Sequence, residues 1–179
     1  GLPGQVATLV LPADVSWGEG GQPCPPPALP APAAASDEAV QAVAQAIRSG
    51  EKTIVLLGGH ALREGALRSA ARIAAHSGVQ LLAEVFPTRM ERGAGLPAVE
   101  RVAYLAELAG VQLAGARHLV LVDAKSPVSF FAYPGKASDL VPEGCQVHTM
   151  AAADEDAVAS LEKLARLLGA QASAPVLQP

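Results

Sequence analysis

Two adjacent glycines and a histidine form the segment of this sequence whose residue types best suit phosphate binding. Gly58, Gly59 and His60 follow a short apolar run and precede a helical pattern. Glycines let a phosphate or a ribose approach the backbone, and the N–H groups at a helix start attract anions. The segment has neither G-x-G-x-x-G nor a Walker lysine, so a simple strand-to-helix turn explains the glycines equally well. The sequence leaves both interpretations open.

Two loops carry further residues that could bind a ligand or a partner. Arg89 lies in an irregular segment, 88–97, where its guanidinium could clamp a phosphate. The alternative is a solvated loop or one that faces a neighbouring domain. A later loop holds three of the chain's six aromatic residues, Phe130, Phe131 and Tyr133. Such a concentration predicts either a contact surface or a cap over the local core.

The spacing of histidines and cysteines argues against catalysis or metal binding. The four histidines form neither H-x-x-H nor H-E-x-x-H, and no G-x-S-x-G elbow accompanies them. Cys24 and Cys145 lie far apart without C-x-x-C spacing, which disfavours both a zinc site and a disulfide framework. We therefore predict no catalytic residue and no metal ligand in this chain.

Composition places the chain among globular α/β proteins. Of its 179 residues, 50% are hydrophobic but only 3% are aromatic, which is typical of an Ala, Val and Leu core in a sheet covered by helices. A net charge of -4 argues against a nucleic-acid partner, which requires clustered Lys and Arg. No run approaches the roughly 20 apolar residues of a membrane span. We expect a soluble, cytoplasmic protein with no nucleic-acid or membrane partner.

Strands and helices alternate along the chain. Short apolar runs bounded by turn residues predict strands, and apolar stripes at helical spacing predict helices. The predicted strands are 53–57, 79–85, 118–122 and 146–149, and the predicted helices are 39–48, 63–76, 98–113 and 154–168. This alternation predicts an α/β fold: an open, doubly wound parallel sheet with helices on both faces, Rossmann-like and of the DHS-like NAD/FAD-binding type.

Ligands of such sheets bind beyond the carboxyl ends of the strands, because the loops diverge there and helix N-termini point their N–H groups at the opening. The sequence predicts four segments at this edge: 58–62, 86–95, 123–135 and 150–154. His60 is the one histidine expected there.

The domain organisation is predicted from composition. Residues 1–17 contain an apolar run, 6–11, and are interpreted as a strand and exit segment from a preceding domain. Residues 18–35 form a proline-rich linker, 36–170 the central Rossmann-like domain, and 171–179 a C-terminal linker to a further domain.

Three segments resemble one known family. Residues 1–15 are similar to a G-x-P-G-P-V, strand, P-x-D-V passage, with Gln5 where Pro is usual. TIVLLGGH at 53–60 resembles a strand that ends in glycines, and LVLVDAKSPVSFFAYPG at 119–135 resembles a strand that leads into an aromatic loop. Together these segments resemble the central domain of thiamine-diphosphate-dependent 2-oxo-acid enzymes, the acetolactate synthase and benzoylformate decarboxylase group.

The resemblance implies a parent transferase or lyase in which flanking pyrimidine- and diphosphate-binding domains hold thiamine diphosphate and magnesium (Mg2+). Neither the expected Gly-Asp-Gly motif nor a suitable strand-embedded Glu occurs here. The resemblance therefore implies a non-catalytic domain that is structural and supports a homo-oligomer.

The family's acetolactate synthases also bind FAD in the central domain, and six positions of this chain correspond to that site: Gly58, Gly59, His60, Ala124, Lys125 and Ser126. Asp123 stands before the second group, where its charge would disfavour a pyrophosphate by about 1 kcal/mol at 4 Å in water. FAD is expected to be absent or weak, leaving a vestigial nucleotide site. The alternatives are a self-sufficient module that binds FAD, NAD or ADP, and an interaction scaffold that uses the aromatic loop.

Overall fold

A computed structural model describes residues 4, 6–93, 95–132 and 134–170. Its centre is a five-stranded, all-parallel sheet in the order β3-β2-β1-β4-β5. The strands are β1 (Thr53–Leu57), β2 (Gln80–Ala83), β3 (Glu100–Arg101), β4 (His118–Val122) and β5 (Gln146–Ala151). The helices are α1 (Ala13–Trp17), α2 (Asp37–Arg48), α3 (Glu64–Ser77), α4 (Ala106–Leu113) and α5 (Ala157–Leu168), with a 3-10 turn at Gly59–Leu62. The predicted α/β class and parallel sheet are confirmed.

Apolar side chains on both faces of the strands explain why helices cover both faces. Strand residues 55, 57, 120 and 122 belong to a core with α2, α3 and α5, whereas residues 54, 56, 119 and 121 pack with α4. β1 and β4 are buried along their whole length. Each fully buried Leu or Ile contributes about 1.5–3 kcal/mol, so these two strands anchor the loops that follow them.

One predicted helix is half wrong. The pattern over 98–113 predicted a continuous helix, but only Ala106–Leu113 is helical, and Glu100–Arg101 forms β3. Val99 and Val102 are buried on either side of this short strand, which pairs with the outer edge of β2. This pairing gives hydrogen-bond partners to backbone groups at the edge of β2 that would otherwise have none. The stabilisation from these tertiary hydrogen bonds outweighs the local preference of the segment for a helix.

Residues 6–11, predicted as a strand from a preceding domain, do not form a strand within the described chain. The backbone there has no strand assignment, and Val6, Leu9 and Val10 are 94%, 86% and 82% exposed. A strand needs a neighbour to accept its hydrogen bonds, and none pairs with this segment in the described chain. The short helix α1 follows instead.

The proline-rich segment has no helix or strand from residue 19 to residue 36, and its end is fastened to α5. The Asp156 N–H donates to the Ala33 carbonyl at 2.8 Å, and the Ala35 N–H donates to Ser160 Oγ at 2.8 Å. Residues 171–179 lie outside the described part of the chain, and the domain boundaries stay predictions.

Candidate functional site at the carboxyl edge of the sheet

The strand order places one crevice at the junction between β1 and β4. In a 3-2-1-4-5 sheet the strand order reverses between strands 1 and 4, and ligands bind outside the carboxyl ends at that point. β1 and β4 are paired in register up to Leu57 and Val122, and the Gly58 N–H donates to the Val122 carbonyl at 3.0 Å. The glycine turn, defined here as Gly58–His60, therefore lies beside Asp123.

The carboxylate of Asp123 occupies the space over the glycine turn. The His60 N–H donates to Asp123 Oδ2 at 2.6 Å, and the His60 Nδ1 atom lies 3.5 Å from the same oxygen. The Asp123 side chain is only 7% exposed. A Cβ at Gly59 would lie closer than 3.0 Å to this carboxylate, and Gly59 has a φ of +40°. Both space and backbone conformation require glycine there.

A second carboxylate completes this arrangement. Glu84 follows β2, and its Oε1 atom accepts a hydrogen bond from the Gly59 N–H at 3.2 Å. Burial raises the pKa of Glu84, and the Asp123 charge raises it further, whereas the Gly59 N–H and the Lys125 ammonium lower it. The N–H groups of Gly59 and His60, which could bind a phosphate, thus already donate to carboxylates of the chain itself. A diphosphate does not fit here unless it displaces them.

The structure separates Arg89 from this turn. Arg89 is exposed, and its Nη2 atom lies 3.4 Å from Glu91 Oε1. Glu91 in turn uses Oε2 to accept the Glu64 N–H at 2.6 Å, at the start of α3. No hydrogen bond or ion pair joins Arg89 to the glycine turn among the described residues. The Glu64 N–H at the start of α3, which could donate to a bound anion, thus also donates to a carboxylate of the chain itself.

The remaining predicted residues continue the loop after β4. Ala124 packs against Gly58, since a Cβ on Gly58 would lie 3.0 Å from the Ala124 Cα atom. Lys125 and Ser126 instead line a cavity of about 190 Å³ beside the turn. The residues predicted as a cofactor site are thus divided: some lie at the glycine turn, which carboxylates already fill, and Lys125 and Ser126 line the cavity.

Aromatic residues form part of the cavity wall and extend onto the surface. Phe86, Tyr104, Phe130 and Phe131 make an aromatic cluster in which neighbouring ring centroids lie 4.8 to 5.7 Å apart. All four side chains are between 43% and 60% exposed. The sequence drew attention to the two in the loop but missed Phe86 and Tyr104, which come from other segments. Tyr133 lies outside the described residues.

Glu84 was also missed as a site residue. The available signal was a charged residue directly after an apolar strand, at the edge where ligands bind. Its partner Gly59 is 25 residues away in sequence, so only the parallel pairing of β1 with β2 brings the two together.

A second cluster of ionisable side chains lies at the opposite edge of the sheet, where the strands begin. His118 Nδ1 lies 3.1 Å from His148 Nε2, and His118 Nε2 lies 3.1 Å from Glu51 Oε2. Burial lowers the pKa of His148, and the neighbouring His118 lowers it further. Within the described ranges, no three His, Cys, Asp or Glu side chains are grouped so as to hold a metal ion.

The chain is 56% identical, over 147 residues, to a Mycobacterium tuberculosis protein described as a candidate acetolactate synthase large subunit, IlvX. The resemblance predicted from the sequence is confirmed. The match covers 82% of this chain but 28% of that relative, so the chain spans less than a third of the length of the curated protein it matches. No protein-family model matches the chain.

Solved structures show the same fold. A candidate thiamin diphosphate-dependent enzyme from Mycobacterium smegmatis superposes with a TM-score of 0.61 at 18% identity, over 88% of this chain and 33% of that one. The thiamine diphosphate-dependent 4-hydroxybenzoylformate decarboxylase of Rhodococcus jostii RHA1 gives 0.60 at 16% identity, over 86% and 31%. None of the helices in the described residues has the length and apolar character to cross a bilayer.

Proposed function

We propose that this chain is the central, non-catalytic domain of a thiamine-diphosphate-dependent enzyme that resembles acetolactate synthases and 2-oxo-acid decarboxylases. The observation that carries the proposal is the 56% identity to a stretch that makes up 28% of a protein described as an acetolactate synthase large subunit. In such a parent, thiamine diphosphate supplies the carbanion chemistry. Flanking domains of the same cytoplasmic polypeptide would bind it with Mg2+, and this domain would hold them apart.

The filled glycine turn supports a structural rather than a cofactor-binding role. Asp123 and Glu84 accept the N–H groups of His60 and Gly59, so a diphosphate would meet two carboxylates instead of two donors. Like charges at close range repel, and more strongly in a partly buried crevice than in water. This favours a vestigial nucleotide site over a self-sufficient FAD-, NAD- or ADP-binding module.

The aromatic cluster supports a role in assembly. Four exposed aromatic side chains at one end of the sheet form an apolar patch of the kind that marks contacts with other domains or protomers. We propose that the cluster packs against a flanking domain or a second protomer of the parent homo-oligomer.

A chimera tests the central-domain proposal. The stretch of the Mycobacterium tuberculosis relative that matches this chain would be replaced by the chain itself. We expect the chimera to retain the relative's sedimentation coefficient and its affinity for thiamine diphosphate. A matched chimera that carries Leu119→Asp in the buried strand β4 should lose both, since it places an unpaired charge in the core. The proposal would be contradicted if the chimera were soluble and monodisperse but did not bind thiamine diphosphate, while the unmodified relative did bind it.

Calorimetry on the 179-residue chain tests the vestigial site. FAD, NAD, ADP and thiamine diphosphate with Mg2+ should each give no binding heat. The Asp123→Gly variant, which removes the carboxylate and accepts the φ of 48° at this position, should gain affinity for inorganic pyrophosphate. Micromolar binding of any nucleotide by the unmodified chain would instead favour the nucleotide-binding module.

A further inference from the structure

The cavity beside the glycine turn has the size and lining of a small-molecule site. Its volume is about 190 Å³, and apolar side chains, among them Leu56, Val102 and Leu140, form its floor. Phe86, Tyr104 and Phe130 form the aromatic part of the wall. An apolar cavity of about 150 Å³ is large enough to hold benzene. The apolar part of a ligand here is therefore a single ring or a branched aliphatic group.

Two side chains of opposite charge line the same cavity. Glu84 is half-buried, and the Lys125 ammonium is close enough to lower the pKa of its carboxyl group. The two do not form an ion pair, and Lys125 has no hydrogen-bond or ion-pair partner in the described part of the chain. Glu84 uses Oε1 for the Gly59 N–H and, as a carboxylate with about four acceptor positions, can accept further donors.

The pattern of charges selects one class of ligand. A phosphate-bearing ligand is disfavoured by Asp123 and Glu84, which already hold the N–H groups of the turn. A ligand with only a positive charge would pair with Glu84 but be repelled by Lys125, and a ligand with only a negative charge would pair with Lys125 but be repelled by Glu84. A ligand with adjacent positive and negative groups and an apolar body satisfies both charges.

We propose that this cavity binds a zwitterionic α-amino acid with an apolar side chain. The ammonium group of the ligand donates to Glu84, its carboxylate pairs with Lys125, and its side chain packs on Phe86, Tyr104 and Phe130. This assigns the domain a ligand-binding role in addition to the spacing role proposed above, and it does not depend on that role.

A matched ligand series tests each part of the proposal. Calorimetric titration of the 179-residue chain would use L-phenylalanine, hydrocinnamate, phenethylamine and L-serine. Hydrocinnamate lacks the ammonium group, phenethylamine lacks the carboxylate, and L-serine lacks the apolar body. We expect L-phenylalanine to bind most tightly and each of the other three to bind at least about tenfold more weakly, the loss typical of one charge-assisted hydrogen bond or, for L-serine, of a buried apolar group.

Two variants locate the charges. Lys125→Met should weaken L-phenylalanine about tenfold and leave phenethylamine unchanged, whereas Glu84→Gln should weaken L-phenylalanine and leave hydrocinnamate unchanged. Lys52→Met, an exposed lysine near the amino edge, is the matched control and should bind like the unmodified chain. The far-ultraviolet circular dichroism of each variant shows that it is folded.

Several results would overturn the proposal. The absence of L-phenylalanine binding up to its solubility limit would do so, as would equal affinities for L-phenylalanine and hydrocinnamate. Equal loss of affinity in Lys125→Met and in the Lys52→Met control would place the ligand elsewhere. Because none of these measurements involves thiamine diphosphate or a flanking domain, failure here leaves the central-domain proposal to its own test.

Discussion

The two edges of the sheet place carboxylates in opposite kinds of surroundings. At the carboxyl edge, Asp123 and Glu84 accept backbone N–H groups of the glycine turn, so their charges hold the main chain in shape. At the amino edge, Glu51 contacts an imidazole, His118, which in turn contacts His148. The carboxyl edge should therefore be sensitive to changes of shape and charge, and the amino edge to changes of pH.

The largest expected effect is a change of shape at the carboxyl edge. Gly59→Ala introduces a Cβ against the Asp123 carboxylate at a φ of +40°, so overpacking and backbone strain add. We expect a loss of about 3 kcal/mol in the free energy of unfolding, measured by urea denaturation. Gly110→Ala is the matched control, since its Cβ meets nothing within 4 Å and alanine favours the helix by up to about 1 kcal/mol. Equal stability of the two variants would refute the close packing of Asp123 on the turn.

Removal of the carboxylate should have the next largest effect. Asp123→Ala leaves the His60 N–H without its charged acceptor and places at a φ of 48° an alanine, which tolerates this conformation less well than aspartate, at a cost of about 2 kcal/mol. Asp123→Asn should cost about half as much, because its amide oxygen accepts the same hydrogen bond and asparagine tolerates this φ. Asp154→Ala, an exposed acid in a neighbouring loop, should change stability by less than about 0.5 kcal/mol. The ranking of the three variants in urea denaturation is the measurement.

The amino edge should lose stability in acid. His148 has a lowered pKa in the folded protein, so below its ordinary value of 6.5 the unfolded chain binds more protons than the folded one. Its contribution to stability is present at neutral pH and is lost as the pH falls from about 6.5 through the folded value. The charged or titratable groups around it are His118, Glu51 and Arg117, which pairs with Glu51. His148→Gln should flatten this part of the curve of unfolding free energy against pH.

Two variants make the pH experiment specific. His76→Gln removes an exposed imidazole at the end of α3 and should keep the acid loss. Glu84 at the other edge should change the stability with pH in the opposite direction, because the pKa of its carboxyl group is raised in the folded protein. Its contribution to stability is therefore fully present below the ordinary pKa of about 4.5 and is lost as the pH rises through the pKa in the folded protein. Glu84→Gln should therefore alter the curve near pH 4.5 and leave the histidine region unchanged. If His148→Gln and His76→Gln changed the unfolding free energy near pH 6.5 in the same way, the acid loss could not be attributed to His148.

The smallest effect is expected at the start of α3. Glu91→Gln keeps an oxygen for the Glu64 N–H but removes the negative charge beside the positive end of the helix dipole. The expected loss is about 0.5 kcal/mol and should shrink in high salt. Glu162→Gln, in an exposed pair with Arg166, should cost no more than this and serves as the control.

Several elements could be predicted because their signals are local. β1 and β4 were found at their observed bounds, since a short β-branched apolar run between turn residues has few alternatives. The ends of two helices also have local signals: at the start of α2 the Ser36 hydroxyl accepts the Ala39 N–H, and at the end of α3 Gly78 adopts a φ of 77°. Glu100–Arg101 could not be predicted as a strand, because only the open edge of β2 makes it one.

The sequence by itself determined an α/β sheet with parallel strands, a glycine turn at a strand end and a resemblance to thiamine-diphosphate-dependent enzymes. Apolar periodicity, caps and short motifs are properties of neighbouring residues, so they can be read along the chain. Only the tertiary structure decided that Asp123 and Glu84 fill the glycine turn and that Phe86, Tyr104 and Phe130 surround one cavity. These groups come from separate segments, and the crossover connections of a parallel sheet bring them to the same edge.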